Sequence, residues 1–209
     1  TKGYTTQVAA MLLLGLKLAR SLGRVEPDDY SRIVRDLRAL PETVTQVLER
    51  NVEAVQYLAS QYFAANDAYF IGRGVDYALA LEGALKLKEI SYIHAESYAA
   101  GELKHGTISL IEKGSLAIAV ACDKRLFEKT LSNIKEIKTR GATVIAVCRG
   151  YNAALKAECD HVIELPNCGD EVYPIVAVTA LQLFGYYVAS ARGCDIDKPR
   201  NLAKSVTVE

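Results

Sequence analysis

The sequence predicts an α/β protein, a three-layer α/β/α sandwich around a mainly parallel sheet of about five strands. Short runs that are apolar on both faces, at 68–71, 116–121, 143–147 and 161–165, alternate with stretches of helical period. Strands buried on both sides and joined by helices are typical of parallel sheets. We place a fifth strand near 107–110, which gives a sheet of flavodoxin-like type.

The helical stretches follow from periodicity and from helix start and stop residues. The first predicted helix spans 5–22 and ends at Gly23. Pro27 opens a second helix that should end near Leu40, and Pro41 should start another one, because proline normally interrupts a helix interior. Further helices are predicted over these ranges: 42–65, 76–92, 124–140, 151–157 and 172–191.

Composition limits the classes of partner and the cellular compartment. The chain has 209 residues, half of them hydrophobic, with 25 basic and 25 acidic side chains. A net charge of zero argues against nucleic acid or an anionic membrane as the main partner. Five cysteines, an odd number without a C-x-x-C pair, indicate reduced thiols and a cytoplasmic location.

Two local features raise the questions of a membrane helix and of a metal site. Residues 173–191 carry no charge, but Pro174, Gln182 and paired tyrosines favour a helix buried against the sheet. The run Cys159-Asp160-His161 is too short and isolated to predict a zinc site. We therefore expect neither a membrane span nor a metal, and His94 and His161 are interpreted as structural.

The residues that could form a functional site cluster between the first strand and residue 106. A glycine turn, Gly72-Arg73-Gly74, precedes a helix on which Glu82, Lys86 and Glu89 are spaced i, i+4 and i+7, so they share one face. Such a face can be a solvated row of ion pairs, or part of a site at the carboxyl ends of the strands. Tyr77 replaces the third glycine of the dinucleotide fingerprint, so no nicotinamide cofactor is expected, nor any other.

Two stretches carry a family resemblance. The run ALEGALKLKEISYIHAESYAAGELKHG (80–106) and the final residues DKPRNLAKSVTVE (197–209) resemble the isomerase region of the glucosamine-6-phosphate synthases, the glutamine:fructose-6-phosphate aminotransferases. That family lies within the sugar isomerase (SIS) superfamily. The resemblance implies that residues 1–23 close an upstream SIS subdomain, 24–193 form a SIS domain, and the tail 194–209 contributes to the active site.

The resemblance also implies residue roles in converting fructose 6-phosphate and glutamine-derived ammonia into glucosamine 6-phosphate. It assigns proton transfer between C1 and C2 to Glu89, ring opening to His105 and an imine with the open-chain ketose to Lys204. Lys86 is the cation beside Glu89, Glu82 orients Lys86, and Arg200 supports substrate binding in the tail. Because the family histidine reaches the neighbouring subunit, a homodimer is implied.

Some features depart from the family pattern. Thr107 stands where the family commonly has proline, and neither a glutaminase domain nor the phosphate-binding loop occurs in the sequence. Since the chain begins with Thr1, we expect a fragment of a longer polypeptide with weak or no turnover alone. The alternative is a SIS module that senses sugar phosphates, which would need serine or threonine in the turn 72–76, where none occurs.

Overall fold

A computed structural model describes residues 2–200 and has the predicted three layers. The α-helices are α1 (Lys2–Ser21), α2 (Pro27–Tyr62), α3 (Val75–Ser91), α4 (Phe127–Lys138), α5 (Ala153–Glu158) and α6 (Tyr173–Ala191). The strands are β1 (Asp67–Gly72), β2 (His94–Ala99), β3 (Leu116–Val120), β4 (Thr143–Arg149) and β5 (His161–Leu165).

The five strands form one parallel sheet in the order β2-β1-β3-β4-β5. This is the flavodoxin-like order, whose topological switch point lies between β1 and β3. The predicted fold class is confirmed, but the fifth strand was placed wrongly. It is β2, at the sheet edge, whereas Thr107–Leu110 is a 3₁₀ helix.

Alternate residues of each strand enter two cores, one on each face of the sheet. On one face Phe70, Ile118 and Val147 pack with α2, α3 and α6. On the other face Ile71 and Ala119 pack with α4 and α5. Helix α6 is long and apolar enough to cross a membrane, yet most of its residues are buried against this protein, as predicted for a core helix.

The predicted break at Pro41 is wrong, because α2 runs through it as one helix of 36 residues. Pro41 itself is exposed. Buried residues on both sides of it, Ile33 and Val47, hold the two halves of the helix against the core. Tertiary packing therefore outweighs the local cost of a proline in the helix interior.

Helix α1 lies at the margin of the fold. Among its residues Leu16 is the one that is fully buried. Tyr4 packs partly against the first core, and Arg20 stacks on the Tyr30 ring of α2 with 4.4 Å between Cζ and the ring centroid. Large apolar side chains remain exposed along and just beyond the helix: Met11, Leu13, Leu14, Leu18 and Leu22.

Candidate active site

The turn between β1 and α3 is as tight as the glycine pattern predicts. A Cβ at Gly72 would lie 2.4 Å from the carbonyl oxygen of Asp76, and Gly74 has φ +56°, a conformation that favours glycine. Glycines at these two positions therefore allow α3 to start directly at the switch point. This placement brings the first turn of α3 close to the carboxyl ends of β1 and β3, whereas Lys86 and Glu89 lie in its last turns, toward the start of β2.

The crevice at the switch point is filled by a carboxylate of the chain itself. Asp76 is buried, and its Oδ2 accepts hydrogen bonds from the backbone N–H groups of Cys122 and Asp123, each at 2.8 Å. Burial raises the pKa of Asp76 to about 6, although these bonds and the Tyr173 hydroxyl oppose the shift. Donors that would otherwise be free for an anionic ligand are thus already occupied.

Helix α3 carries the predicted charged face. The Lys86 ammonium lies 3.8 Å from Glu82 Oε1 and donates a hydrogen bond to Glu89 Oε2. The side chains of Glu82 and Lys86 are only 10% and 14% exposed, whereas that of Glu89 is 47% exposed. The group is therefore not a solvated row of ion pairs, and the one open carboxylate is Glu89.

Glu82 faces a cleft beside α1. Tyr4 and Glu82 both line a cleft of about 380 Å³ bounded by α1, α3 and β2, which also includes Lys88 and Ser97. Burial raises the pKa of Glu82, while the nearby Lys86 opposes the shift. The same proximity acts on Tyr4, whose pKa is raised by burial and by the Glu82 charge. A buried carboxyl group with a raised pKa beside a lysine is a feature that often marks functional sites.

His105 ends a 3₁₀ segment, Ala100–His105, that we call the His105 segment. Its imidazole is 76% exposed, and Nε2 lies 3.8 Å from the carboxylate of Glu102, which is also exposed. No contact joins His105 to Glu82, Lys86 or Glu89 within the described residues. The structure of one chain thus brings together the α3 residues and leaves His105 directed to solvent.

The start of the tail lies against the end of α3. The backbone N–H of Arg200 donates to the Tyr92 hydroxyl at 3.0 Å, and the guanidinium Cζ lies 4.2 Å from the Tyr92 ring centroid. Tyr92 caps α3 in the left-handed conformation, with φ 61°. Arg200 is therefore close to the site, while Lys204 lies outside the described residues.

The other two histidines have structural partners, as interpreted from the sequence. His94 Nδ1 is 2.8 Å from Asp67 Oδ1, and His161 Nε2 is 2.8 Å from the Tyr62 hydroxyl. Asp160, the middle residue of the Cys159-Asp160-His161 run, pairs with Lys138 at 2.7 Å. These contacts pair each histidine with a polar side chain of a neighbouring element.

Sequence reasoning missed the residues that support the His105 segment, namely Arg73, Asn133 and Glu136. Arg73 Nε donates to Asn133 Oδ1 at 3.0 Å, a contact between residues 60 positions apart in the chain. The one available signal was Arg73 itself, a long cationic side chain within a glycine turn that has no acidic partner next to it in the sequence. The partners of that arginine become visible only in the folded chain.

The fold and the charged face of α3 define a parallel α/β domain that carries a candidate catalytic carboxylate. A family model described as SIS domain matches residues 61–192. Since this match covers more than half of the chain, the chain belongs to the SIS domain family.

More specific similarities extend over the whole chain. It is 51% identical to a protein of Caldanaerobacter subterraneus subsp. tengcongensis and 48% identical to one of Clostridium acetobutylicum, both named glutamine--fructose-6-phosphate aminotransferase [isomerizing]. All 209 residues match, and they span 34% of the length of each relative. The C-terminal domain of glucosamine-fructose-6-phosphate aminotransferase from Francisella tularensis superposes with a TM-score of 0.87 at 35% identity, covering 95% of this chain and 56% of that one.

Proposed function

We propose that the chain is the isomerase part of an enzyme that makes glucosamine 6-phosphate from fructose 6-phosphate and glutamine-derived ammonia. The observation that carries the proposal is the Glu82, Lys86 and Glu89 group on α3, in a chain similar over its full length to aminotransferases of that name. The substrates and the reaction are thus inferred from relatives that are about three times as long as this chain.

Each proposed role fits the chemistry of the residue. Moving a proton between C1 and C2 of an open-chain sugar needs a carboxylate that reaches both carbons, and Glu89 is the accessible carboxylate of the group. Lys86, held between two carboxylates, orients Glu89 by donating a hydrogen bond to it. His105 would open the sugar ring, because imidazole exchanges protons near neutral pH, and Lys204 would form the imine.

The proposal includes a homodimer in the cytoplasm, with ammonia delivered by a glutaminase domain of the complete protein. An exposed His105 without contact to the α3 group fits a residue that completes the site of a second copy. The five cysteines are all free thiols, which fits a reducing compartment.

A sensor module for sugar phosphates is the alternative, and the switch-point crevice argues against the phosphate site that such a module would need within this chain. A phosphate bound there would need the backbone N–H groups of Cys122 and Asp123, which Asp76 already occupies. Binding would therefore require displacing a buried carboxylate of the same charge as the ligand.

The test is Glu89→Gln in the full-length protein that contains this chain, with Glu158→Gln as the matched control. Glu158 also pairs with a lysine, Lys135 at 3.2 Å, but lies on α5, across the sheet from α3. We expect kcat for glucosamine 6-phosphate to fall by about 10²- to 10⁴-fold in Glu89→Gln and to change less than about twofold in the control. Wild-type turnover in Glu89→Gln would overturn the assignment. Calorimetry on the same variant measures whether it still binds the sugar phosphate.

A further inference from the structure

The His105 segment has one face fixed in the fold and one face open. Ala100 and Leu103 are completely buried in the second core. Glu102 and His105 lie on the opposite side and are exposed. The orientation of the His105 side chain therefore depends on what holds the buried face of this short 3₁₀ segment.

Arg73 lies against the backbone of this segment. A Cβ built on Gly101 would be 2.8 Å from Arg73 Nη2 and 3.0 Å from Nη1, so the guanidinium rests on the glycine with no room for a side chain. Arg73 itself belongs to the turn that starts α3, immediately after β1. One side chain thus connects the turn that starts α3 with the segment that carries His105.

The position of the Arg73 guanidinium is fixed from α4. Its Nε donates to Oδ1 of Asn133, which is buried, and Asn133 Nδ2 donates to Glu136 Oε2 at 3.2 Å. Glu136 Oε1 in turn pairs with Lys104 Nζ at 2.9 Å, so the network returns to the His105 segment. Burial acts to raise the pKa of Glu136, but the bonds from Lys104 and Asn133 outweigh it and hold the pKa below its usual value.

We infer that Arg73 is a positioning residue for the proposed reaction, holding the His105 segment in register with α3. The inference rests on the proposed role of His105, and it adds a residue that touches neither the sugar nor the reacting atoms. A planar guanidinium suits this task, because it stacks on a flat backbone surface while a fixed N–H group reaches Asn133. Lysine has neither property, so it should not replace arginine here.

The experiment compares four variants in the full-length protein: Arg73→Ala, Gly101→Ala, the double variant, and Arg125→Ala as control. The methyl group of Gly101→Ala would displace the guanidinium without removing any hydrogen-bonding group. Arg125 pairs with Asp123 and makes no bond to the His105 segment. Circular dichroism and thermal unfolding establish that each variant is folded.

We expect Arg73→Ala and Gly101→Ala each to lower kcat by about ten- to hundredfold, with KM for fructose 6-phosphate changed less than about threefold. Because both changes act on the same contact, the double variant should be no slower than Arg73→Ala alone. Additive losses, or an Arg73→Ala enzyme as active as Arg125→Ala, would overturn the positioning role.

His105→Ala, measured in parallel, separates this inference from the proposed function. If His105→Ala keeps wild-type kcat, the role of His105 fails and Arg73 has nothing to position. If His105→Ala is impaired while Arg73→Ala and Gly101→Ala remain fully active, the proposed function stands and the role of Arg73 alone is rejected.

Discussion

The Lys86 ammonium lies 3.8 Å from the Glu82 carboxylate at a place on α3 where both side chains are nearly buried. An ion pair removed from solvent is screened less than a surface pair, and the loss of one partner leaves the other charge uncompensated. Glu82 is therefore more than a neighbour of the reactive face, because its charge offsets that of Lys86 from the side opposite Glu89.

Glu82→Gln should weaken both the fold and the site. We expect a loss of about 1 to 2 kcal/mol in the free energy of unfolding, since Lys86 keeps Glu89 as its partner. We also expect kcat for glucosamine 6-phosphate to fall at least about tenfold, because Lys86 is no longer centred between two carboxylates. Urea unfolding and steady-state kinetics measure the two effects, with Glu158→Gln as an exposed ion-pair control that should cost less than about 1 kcal/mol. A Glu82→Gln protein as active as the control contradicts the orienting role.

Asp76 gives the fold a specific pH dependence. Its folded pKa of about 6 lies above the ordinary value of 3.8, so the native state binds more protons than the unfolded state between these pH values. The contribution to stability is complete below about pH 4 and is lost as the pH rises through about 6. Asp76→Asn should therefore be more stable than the wild type at pH 7, by about 1 to 3 kcal/mol, and equal to it near pH 4.

The structural reason is that both backbone N–H groups reach the same oxygen of Asp76, which an asparagine carbonyl can replace. Urea titrations at several pH values from 4 to 8 measure the difference. A gap between Asp76→Asn and wild type that stays constant with pH, or that grows toward low pH, is incompatible with this account.

Gly83 marks a close approach of α3 to β1 and α6. A Cβ at this position would lie 2.9 Å from Leu181 of α6 and 2.9 Å from the Phe70 ring of β1. Gly83→Ala should therefore destabilise the protein by about 1 to 3 kcal/mol through overpacking, despite the better helix propensity of alanine. Gly185→Ala is the control, because its nearest neighbour would be 3.7 Å away, an ordinary contact. Equal thermal stability of the two variants would refute this packing argument.

Tyr92 tests whether the tail acts together with α3. Tyr92→Phe removes the hydroxyl that accepts the Arg200 N–H but keeps the ring beneath the guanidinium. We expect kcat to fall by about two- to tenfold, the effect of one hydrogen bond, with thermal stability almost unchanged. Tyr92→Leu, which also removes the ring, should have the larger effect. If both variants keep wild-type kcat, the Arg200 contact has no part in the reaction.

Most of the sheet could be predicted, because β1, β3 and β4 are largely buried apolar runs, and β5, although an edge strand, keeps Val162, Ile163 and Leu165. Strand β2 escaped prediction for a physical reason: it is an edge strand, and its sequence HAESYA includes polar and half-buried residues. The continuity of α2 through Pro41 was equally hidden, since it depends on Ile33 and Val47 packing on other elements.

The candidate site, like the fold, could be predicted from the sequence only where it depends on local spacing. Helical spacing was sufficient to place Glu82, Lys86 and Glu89 on one face, because that relationship is local. The cleft that Glu82 shares with Tyr4, and the contact of Arg73 with Asn133 that supports the His105 segment, join residues far apart in the chain. No sequence pattern records such distant pairs.

The exposed apolar side chains along α1 affect the solubility of the purified chain. The exposed leucines and methionine form an apolar surface. Such a surface promotes aggregation at the concentrations that calorimetry and crystallisation require. Light scattering on freshly purified material would reveal this tendency. Replacing Leu14 and Leu18, both exposed, with glutamate would give a sample of this chain whose unfolding data reflect the folded protein rather than aggregates.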